Sequence, residues 1–432
     1  VAQLLIEGGT RLVGRVPISG SKNAVLPILA ACLLTEEECR IKNVPRIEDV
    51  QTMVRLLQGM GVQIRWLDPQ QLQVNAEPLA RSDVLAAMAN RMRASFLLMG
   101  PLLARRGEAR VAKPGGDDIG MRRVEQHIVG LRQMGASVEL VDGEYVARAD
   151  RLKGATIVLD MPTVTGTENL MMAAVTADGI TTIHNAAREP HVVDLGYFLG
   201  KMGARINGIG TDILQIEGVR ELSGVSHRVI PDNIEAGTYA IAVAATGGEA
   251  VLEDVETADL RVLILKLRAA GVEVEDQLHS LWVQGTGRIN PVDVTTWPHP
   301  GFPTDLQAPF VSLMTQANGR CHVSEAVFEN RFQHVPELRK LGADVYVEGR
   351  TAVVSGPTRL HGGTVTVPDI RSGAALVVAA LCANGTTTLD NIYHLDRGYQ
   401  DLVGKLETAG AHISRVESED SARPDLSRVV GD

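Results

Sequence analysis

Leu56-Leu-Gln-Gly-Met-Gly-Val-Gln-Ile-Arg-Trp66 decides the fold, because the chain repeats its pattern five more times. The other copies are Leu131-Arg-Gln-Met-Gly-Ala-Ser-Val-Glu-Leu140 and the segments at 199–209, 267–275, 338–348 and 406–414. Each passes from an amphipathic stretch through a glycine into a short alternating run. The glycines are Gly61, Gly135, Gly203, Gly271, Gly342 and Gly410, with gaps of 74, 68, 68, 71 and 68 residues. A spacing of about 70 residues is the size of a small α/β unit, so one unit is used six times. Glycine at that place suits a helix C-terminus that turns left-handed before the next strand.

Each copy also carries a glycine-bounded strand, such as Gly179-Ile-Thr-Thr-Ile-His-Asn-Ala186, preceded by an Ala- and Leu-rich segment, such as Asn23-Ala-Val-Leu-Pro-Ile-Leu-Ala-Ala-Cys-Leu-Leu34. Those segments are apolar on nearly every side, as a helix inside a core must be. The unit reads as strand–helix–strand–helix–strand, with one helix buried and the other covering the outside. At 432 residues the chain exceeds what one core serves, so the six units are expected to divide three and three into two lobes.

Bulk properties narrow the function. A net charge of −10 excludes a sequence-independent nucleic-acid binder, and 3% aromatic residues leave few stacking platforms. No apolar run reaches eighteen residues and no signal peptide is legible, so a cytoplasmic protein without a membrane span is expected. The cysteines, at 32, 39, 321 and 382, lack CxxC spacing and read as structural thiols, and no metal site is expected.

The polar residues just ahead of the six buried helices matter most. They are Ser21-Lys22-Asn23, Arg91-Met92-Arg93, Thr163-Val164-Thr165, Asn233-Ile234-Glu235, Thr304-Asp305 and Asp369-Ile370-Arg371. A helix N-terminus carries unpaired N–H groups and about half a positive charge. Several aimed at one cleft, deepened by Lys22, Arg93 and Arg371, would bind anions. Taken singly, each is an ordinary N-cap. Lys113-Pro-Gly-Gly-Asp-Asp-Ile-Gly120 reads as a mobile lid with two adjacent carboxylates, or as a solvated turn. Asp305 stands at the mouth of a buried helix, where burial raises its pKa and basic neighbours lower it, so it could serve as a base. Arg397 lies in a polar loop and could simply pair with Asp396.

These segments, with Thr167-Glu-Asn-Leu-Met-Met172, Ala187-Arg-Glu-Pro190, Phe328-Glu-Asn-Arg-Phe332 and His394-Leu-Asp-Arg-Gly398, resemble the enolpyruvyl transferases over residues 4–416. The resemblance is strongest to the branch that uses UDP-N-acetylglucosamine. It implies a two-domain inside-out α/β barrel, three repeats per domain. One lobe would hold residues 1–20 and 230–416, the other 21–229, with 417–432 a flexible tail. The implied reaction transfers the enolpyruvyl group of phosphoenolpyruvate to the sugar 3-hydroxyl, an early step of peptidoglycan synthesis, with no cofactor and in a monomer or weak homo-oligomer.

By the same resemblance, Lys22, Asn23, Arg122, Arg371 and Arg397 would face phosphoenolpyruvate. Asn23, Arg93, Arg122, Arg123, Val124, Glu125, Gln126, Thr163, Val164, Thr165, Asp305 and Val327 would face the nucleotide sugar. Asp305 would be the base for the 3-hydroxyl and Asp117 the acid. Most relatives carry Cys where this chain has Asp117, which implies resistance to fosfomycin, a drug that alkylates that thiol. Arg123 stands where relatives usually have Pro, Glu125 where they have Asp, and Asn233 where they have Arg. A paralogue using another nucleotide, a shikimate 3-phosphate transferase and a non-catalytic sugar-nucleotide binder are the competing readings.

Overall fold

The computed structural model describes residues 2–84, 92–117, 119–120 and 124–417. The helices alternate between inner and outer positions along the chain. In order they are α1 (Lys22–Ala31), α2 (Glu48–Gly59), α3 (Met99–Arg106), α4 (Glu125–Gln133), α5 (Val164–Ala174) and α6 (Pro190–Lys201). The second half continues with α7 (Asn233–Ala245), α8 (Arg261–Ala269), α9 (Gln307–Met314), α10 (His334–Lys340), α11 (Ile370–Cys382) and α12 (Leu402–Thr408). Odd-numbered helices are inner. Nearly every residue of α1, α5, α7, α9 and α11 is buried, as their Ala, Leu and Val content demands. Even-numbered helices bury one face only, as in α8, where Leu263, Ile264 and Leu267 point inward.

All six repeat glycines have positive φ, from 87° at Gly271 to 105° at Gly203. A side chain there would cost strain, so the glycine period is a backbone requirement repeated six times. A second repeated device follows the central strand of several units. Asn43, Asn185 and Asn391 all adopt φ near 59° and donate from Nδ2 to the carbonyls of Val229, Leu159 and Val367. Asn tolerates the left-handed region because its short amide can bond locally.

The described strands form six four-stranded sheets. The unit is richer than the sequence suggested. The alternating run after the first five repeat glycines folds back as a two-stranded hairpin, giving strand–helix–strand–helix–strand–strand, whereas the run after Gly410 pairs with the first strand of the chain. Ser137–Val141 and Glu144–Arg148 show why: Asp142 (φ 52°) and Gly143 (φ 81°) supply the two left-handed residues of a tight hairpin turn. In each sheet one edge strand pairs parallel with its neighbour, and that neighbour pairs antiparallel on its other side, as for Thr156–Val158, Ile180–His184 and Ile213–Glu217. The first residues of the chain complete sheets of the second half. Ala2–Glu7 lies between Thr386–Asp390 and His412–Glu417, and Val13–Pro17 pairs with Glu249–Glu253.

The buried apolar residues fall into two clusters. One draws on positions between Ala24 and Val229, the other on Leu4 to Ile18 and Ile234 to Ile413. Within the second, α7, α9 and α11 pack on one another; within the first, α5 packs on α1 and α3. The chain passes between the clusters twice, side by side. Ser21 N–H donates to Ile230 O (2.8 Å) and Asp232 N–H to Ser19 O (2.8 Å), bridging Gly20 and Pro231. A buried ion pair locks this crossing, with Lys405 Nζ 2.6 Å from both Glu235 Oε1 and Ser19 Oγ. Among the described residues no helix is long and apolar enough to cross a membrane.

Gly20 has no room for a side chain, since a Cβ there would lie 1.7 Å from Asn43 O. Gly20→Ala is expected to cost about 1–3 kcal/mol of stability through overpacking, read as a lower midpoint in urea unfolding. An unchanged midpoint would mean that the crossing is not rigidly packed.

Candidate active site

Caps fix how the inner helices begin, and α1 and α7 start side by side at the crossing between the two cores. Ser21 Oγ accepts from Ala24 N–H at the start of α1, Thr163 from Gly166 N–H at α5, and Asp369 from Arg371 and Ser372 N–H at α11. Asp232 caps α7 with Oδ1 while its Oδ2 accepts from Lys22 N–H (3.1 Å), coupling the starts of α7 and α1. Two units begin less directly. Arg93–Leu98 and Thr304–Leu306 are 3₁₀ turns that precede α3 and α9.

Two ionic clusters form at this boundary. In the first, Lys22 Nζ lies 2.7 Å from Asp49 Oδ2, and Arg397 Nε donates to Asp49 Oδ1 (2.9 Å). Arg397 Nη1 also reaches Asp117 Oδ1 in the lid at 2.6 Å, with His394 Nδ1 3.8 Å from the same oxygen. Burial opposes the Arg397 charge, but Asp49 and Asp117 outweigh it and hold the guanidinium more firmly protonated than usual. The simple pairing of Arg397 with Asp396 does not occur. Asp396 is taken by Arg415 through two 2.8 Å bonds. The lid also touches the second half elsewhere, where Asn330 N–H donates to Ile119 O.

In the second cluster, Arg331 Nη2 donates to Asp305 Oδ1 (2.6 Å), and Arg371 Nε donates to Oδ2 (3.0 Å). Arg331 Nη1 is also held by Thr304 Oγ1, and Arg371 Nη1 by Tyr399 Oη. Opposing influences act on Asp305. Burial does push the Asp305 carboxyl up, but Arg371, Arg331 and Lys22 together prevail and hold it far below the usual carboxylate range. While both guanidinium groups grip it, Asp305 is a weak base.

The residues expected at the nucleotide sugar are spread over several elements. Gln126 Oε1 accepts from Asp160 N–H (2.9 Å), which ties α4 to the loop before α5. Val124 precedes α4, Glu125 opens it, and Thr163, Val164 and Thr165 begin α5. Val327 N–H donates to Glu325 Oε1 in the second half. Asn23 follows Lys22 in the first turn of α1, and Arg93 opens the 3₁₀ turn before α3. Arg122, Arg123 and Asp118 lie outside the described residues. His127 is core: buried, bonded to Asn169 Nδ2 (3.0 Å) and Thr165 Oγ1 (3.2 Å), with the Phe96 ring edge-on. Among the described residues no group of three His, Cys, Asp or Glu side chains could hold a metal.

Sequence reading missed Asp49 and gave Arg331 no role, although Arg331 sits inside a motif it quoted. Asp49 had a faint signal, an acid in the first turn of an amphipathic helix on its buried face. A cavity of about 370 Å³ beside the crossing is lined by Arg188, Tyr197, Asp259 and His299 among others, and by none of the clustered residues above.

Residues 6–406 match the family described as EPSP synthase (3-phosphoshikimate 1-carboxyvinyltransferase). Three curated relatives are named UDP-N-acetylglucosamine 1-carboxyvinyltransferase. They come from Carboxydothermus hydrogenoformans (48% identical), Magnetococcus marinus (47%) and Sorangium cellulosum (49%), each aligned over 96% of this chain and 99% of its own length. The chain belongs to the enolpyruvyl transferase family, with the UDP-N-acetylglucosamine 1-carboxyvinyltransferases. Among solved structures, the enolpyruvyl transferase NikO from Streptomyces tendae superposes with a TM-score of 0.88 at 28% identity, over 96% of this chain and 99% of that one. EPSP synthase from Acinetobacter baumannii gives 0.76 at 19% over 96% and 100%, a likeness of fold alone. The inside-out α/β architecture that the family resemblance implied is thus the one the chain adopts.

Burial holds the His127 and His334 imidazoles down to about 3, with Arg93 and Arg331 adding to it. Folded values below the unfolded 6.5 mean that their contribution is complete above about 6.5 and is lost progressively as pH falls toward 3. The loss is expected to be on the order of 4 kcal/mol per histidine over that window. Side-chain NMR at pH 5 should find both rings neutral. A protonated His127 in folded protein at that pH would contradict the assignment.

Proposed function

We propose that this chain transfers the enolpyruvyl group of phosphoenolpyruvate to the 3-hydroxyl of UDP-N-acetylglucosamine with release of phosphate, the first committed step of peptidoglycan synthesis. The observation that carries the reading is the 47–49% identity, over nearly the whole length, to relatives named for that reaction. The shikimate 3-phosphate alternative has much weaker support, 19% identity to a solved EPSP synthase. We place the reaction in the cytoplasm, where phosphoenolpyruvate is made, and we read the two hydrophobic cores as the two lobes.

The chemistry asks for cations at two anionic groups of a three-carbon donor, a proton source at C3 and a proton acceptor at the sugar hydroxyl. Lys22 and Arg397 suit one anionic group. Arg331 and Arg371 suit the other, since a guanidinium binds a carboxylate through two parallel hydrogen bonds. An incoming carboxylate would draw these two groups away from Asp305. The loss of their field frees Asp305 to accept the hydroxyl proton, which resolves the weak-base problem of the unliganded state.

Asp117 follows the same logic. Its contact with Arg397 favours the carboxylate, so it cannot act as an acid until a donor anion takes over that guanidinium and repels its charge. Protonated Asp117 then delivers its proton to C3, and cationic character develops at C2. The sugar oxygen attacks C2 as its proton passes to Asp305, which gives the tetrahedral adduct. Breakage of the C2–O bond to phosphate, with return of the C3 proton to Asp117 and of the hydroxyl proton to the leaving phosphate, completes a balanced cycle. The segment from Pro114 to Gly120, folded over the site, would keep out water as a rival nucleophile.

Phosphate release from phosphoenolpyruvate is expected with UDP-N-acetylglucosamine and not with other uridine nucleotides. Asp117→Asn should lower kcat by about 10²–10⁴ with the fold retained. Activity confined to a different nucleotide would overturn the acceptor assignment, and full activity in Asp117→Asn would remove that residue from proton transfer.

A carboxylate is a poor nucleophile for an epoxide, so no covalent fosfomycin adduct is expected on Asp117, whereas Asp117→Cys should gain one. Intact-mass spectrometry after incubation with drug and UDP-N-acetylglucosamine reads both. An adduct on the unaltered chain would reject the resistance proposal.

A further inference from the structure

Asp49 belongs to neither the acid nor the base assigned above, yet it sits at the centre of the cation cluster. It lies in the first turn of α2, is 3% exposed, and accepts from two positive groups at once. Lys22, on the first turn of α1, and Asp49 lie beside Ala24 and Val50 of the first hydrophobic cluster. Arg397 follows the helical turn Tyr393–Asp396 and is flanked by Leu395 and Tyr399 of the second cluster. The carboxylate therefore joins cations carried by different halves of the molecule. We infer that Asp49 is a positioning residue that assembles Lys22 and Arg397 into one anion-binding pair before the donor arrives. The inference rests on the enolpyruvyl-transfer reading for the identity of the anion, phosphoenolpyruvate.

The geometry specifies how this works. Asp49 engages Arg397 along one edge, through Nε at 2.9 Å and Nη2 at 3.5 Å. That leaves Nη1 turned elsewhere, and there it meets a carboxylate oxygen of Asp117 at 2.6 Å. An anion thus already occupies the edge that a donor oxygen would use. Lys22 Nζ is anchored by the other Asp49 oxygen at 2.7 Å, and both cations are less than a tenth exposed. Two buried positive charges side by side repel each other strongly at low effective dielectric, and each carries a flexible stem. Without a shared counter-ion they would separate or turn toward water. Asp49 offsets that repulsion while adding a negative charge near the incoming anion.

The two roles of Asp49 make opposite predictions. If it were only a nearby negative charge, removing it would tighten anion binding. If it positions the pair, removing it weakens binding. Asp49→Asn keeps the side-chain shape but retains a single acceptor oxygen and points an N–H₂ at one of the cations. Titration of the unliganded protein with inorganic phosphate, followed by steady-state kinetics, separates the cases. Phosphate affinity is expected to fall at least tenfold, with KM for phosphoenolpyruvate rising in parallel and KM for UDP-N-acetylglucosamine within twofold of the original. The double variant Asp49→Asn with Arg397→Lys should lose less than the sum of the single losses, because both act on one pair. Unchanged or tighter phosphate binding in Asp49→Asn, or additive losses, would overturn the inference. Should Asp49→Asn fail to unfold cooperatively, Asp49→Glu, which keeps the charge but shifts it by one methylene, decides by the same titration. A loss of threefold or more then supports positioning, and unchanged affinity rejects it. Phosphate binding needs no acceptor. A chain that binds phosphate in this Asp49-dependent way yet releases none from phosphoenolpyruvate would sink the transfer reading alone.

Discussion

Buried positive charge must be answered by buried negative charge, and that constraint organises the whole boundary between the two cores. Lys22, Arg331, Arg371 and Arg397 are all less than a tenth exposed. None could stay charged there alone, because desolvation of an isolated ion costs several kcal/mol. The chain supplies Asp49, Asp117 and Asp305 as their partners, each within 3.0 Å of at least one cation. In the reaction we propose, the carboxylates that pair with these cations are the same groups the chemistry uses or displaces. An arriving anion therefore changes the protonation preferences of Asp117 and Asp305 merely by competing for their guanidinium partners. Binding and acid–base readiness become one event.

The repeat makes this arrangement economical. Each unit supplies an inner helix, and where a capping residue is present it fixes the direction of the first turn. Residues one or two positions past the cap, such as Lys22 after Ser21 and Arg371 after Asp369, are then held at the boundary by backbone geometry. The paired crossing at Gly20 and Pro231 sits directly before α1 and α7, so any rotation of one core against the other pivots close to the anion site.

What could be read from the sequence was what is encoded locally. The repeat glycines, the apolar inner helices and the caps at Ser21, Thr163 and Asp369 depend on neighbours within a few residues. The extra hairpin strand escaped because one alternating run looks like one strand unless the left-handed pair at Asp142 and Gly143 is recognised as a turn. Asp49 escaped for a different reason. Its meaning comes from Arg397, 348 positions away, and nothing near either residue announces the other. The place of Arg331 beside Asp305 escaped on the same account.

The exchange of Cys for Asp in the lid can be weighed in these terms. A thiol, with an ordinary pKa of roughly 8.5, arrives protonated and needs no help to act as an acid. A carboxyl, at roughly 3.9, arrives ionised and is attracted to Arg397. In the reaction we propose, an aspartate at this place competes with the donor for Arg397 and takes up its proton as the donor displaces it. A thiol there would lack that competition and also that coupling. On that proposal, the 2.6 Å contact between Asp117 and Arg397 ties protonation of the acid to arrival of the donor.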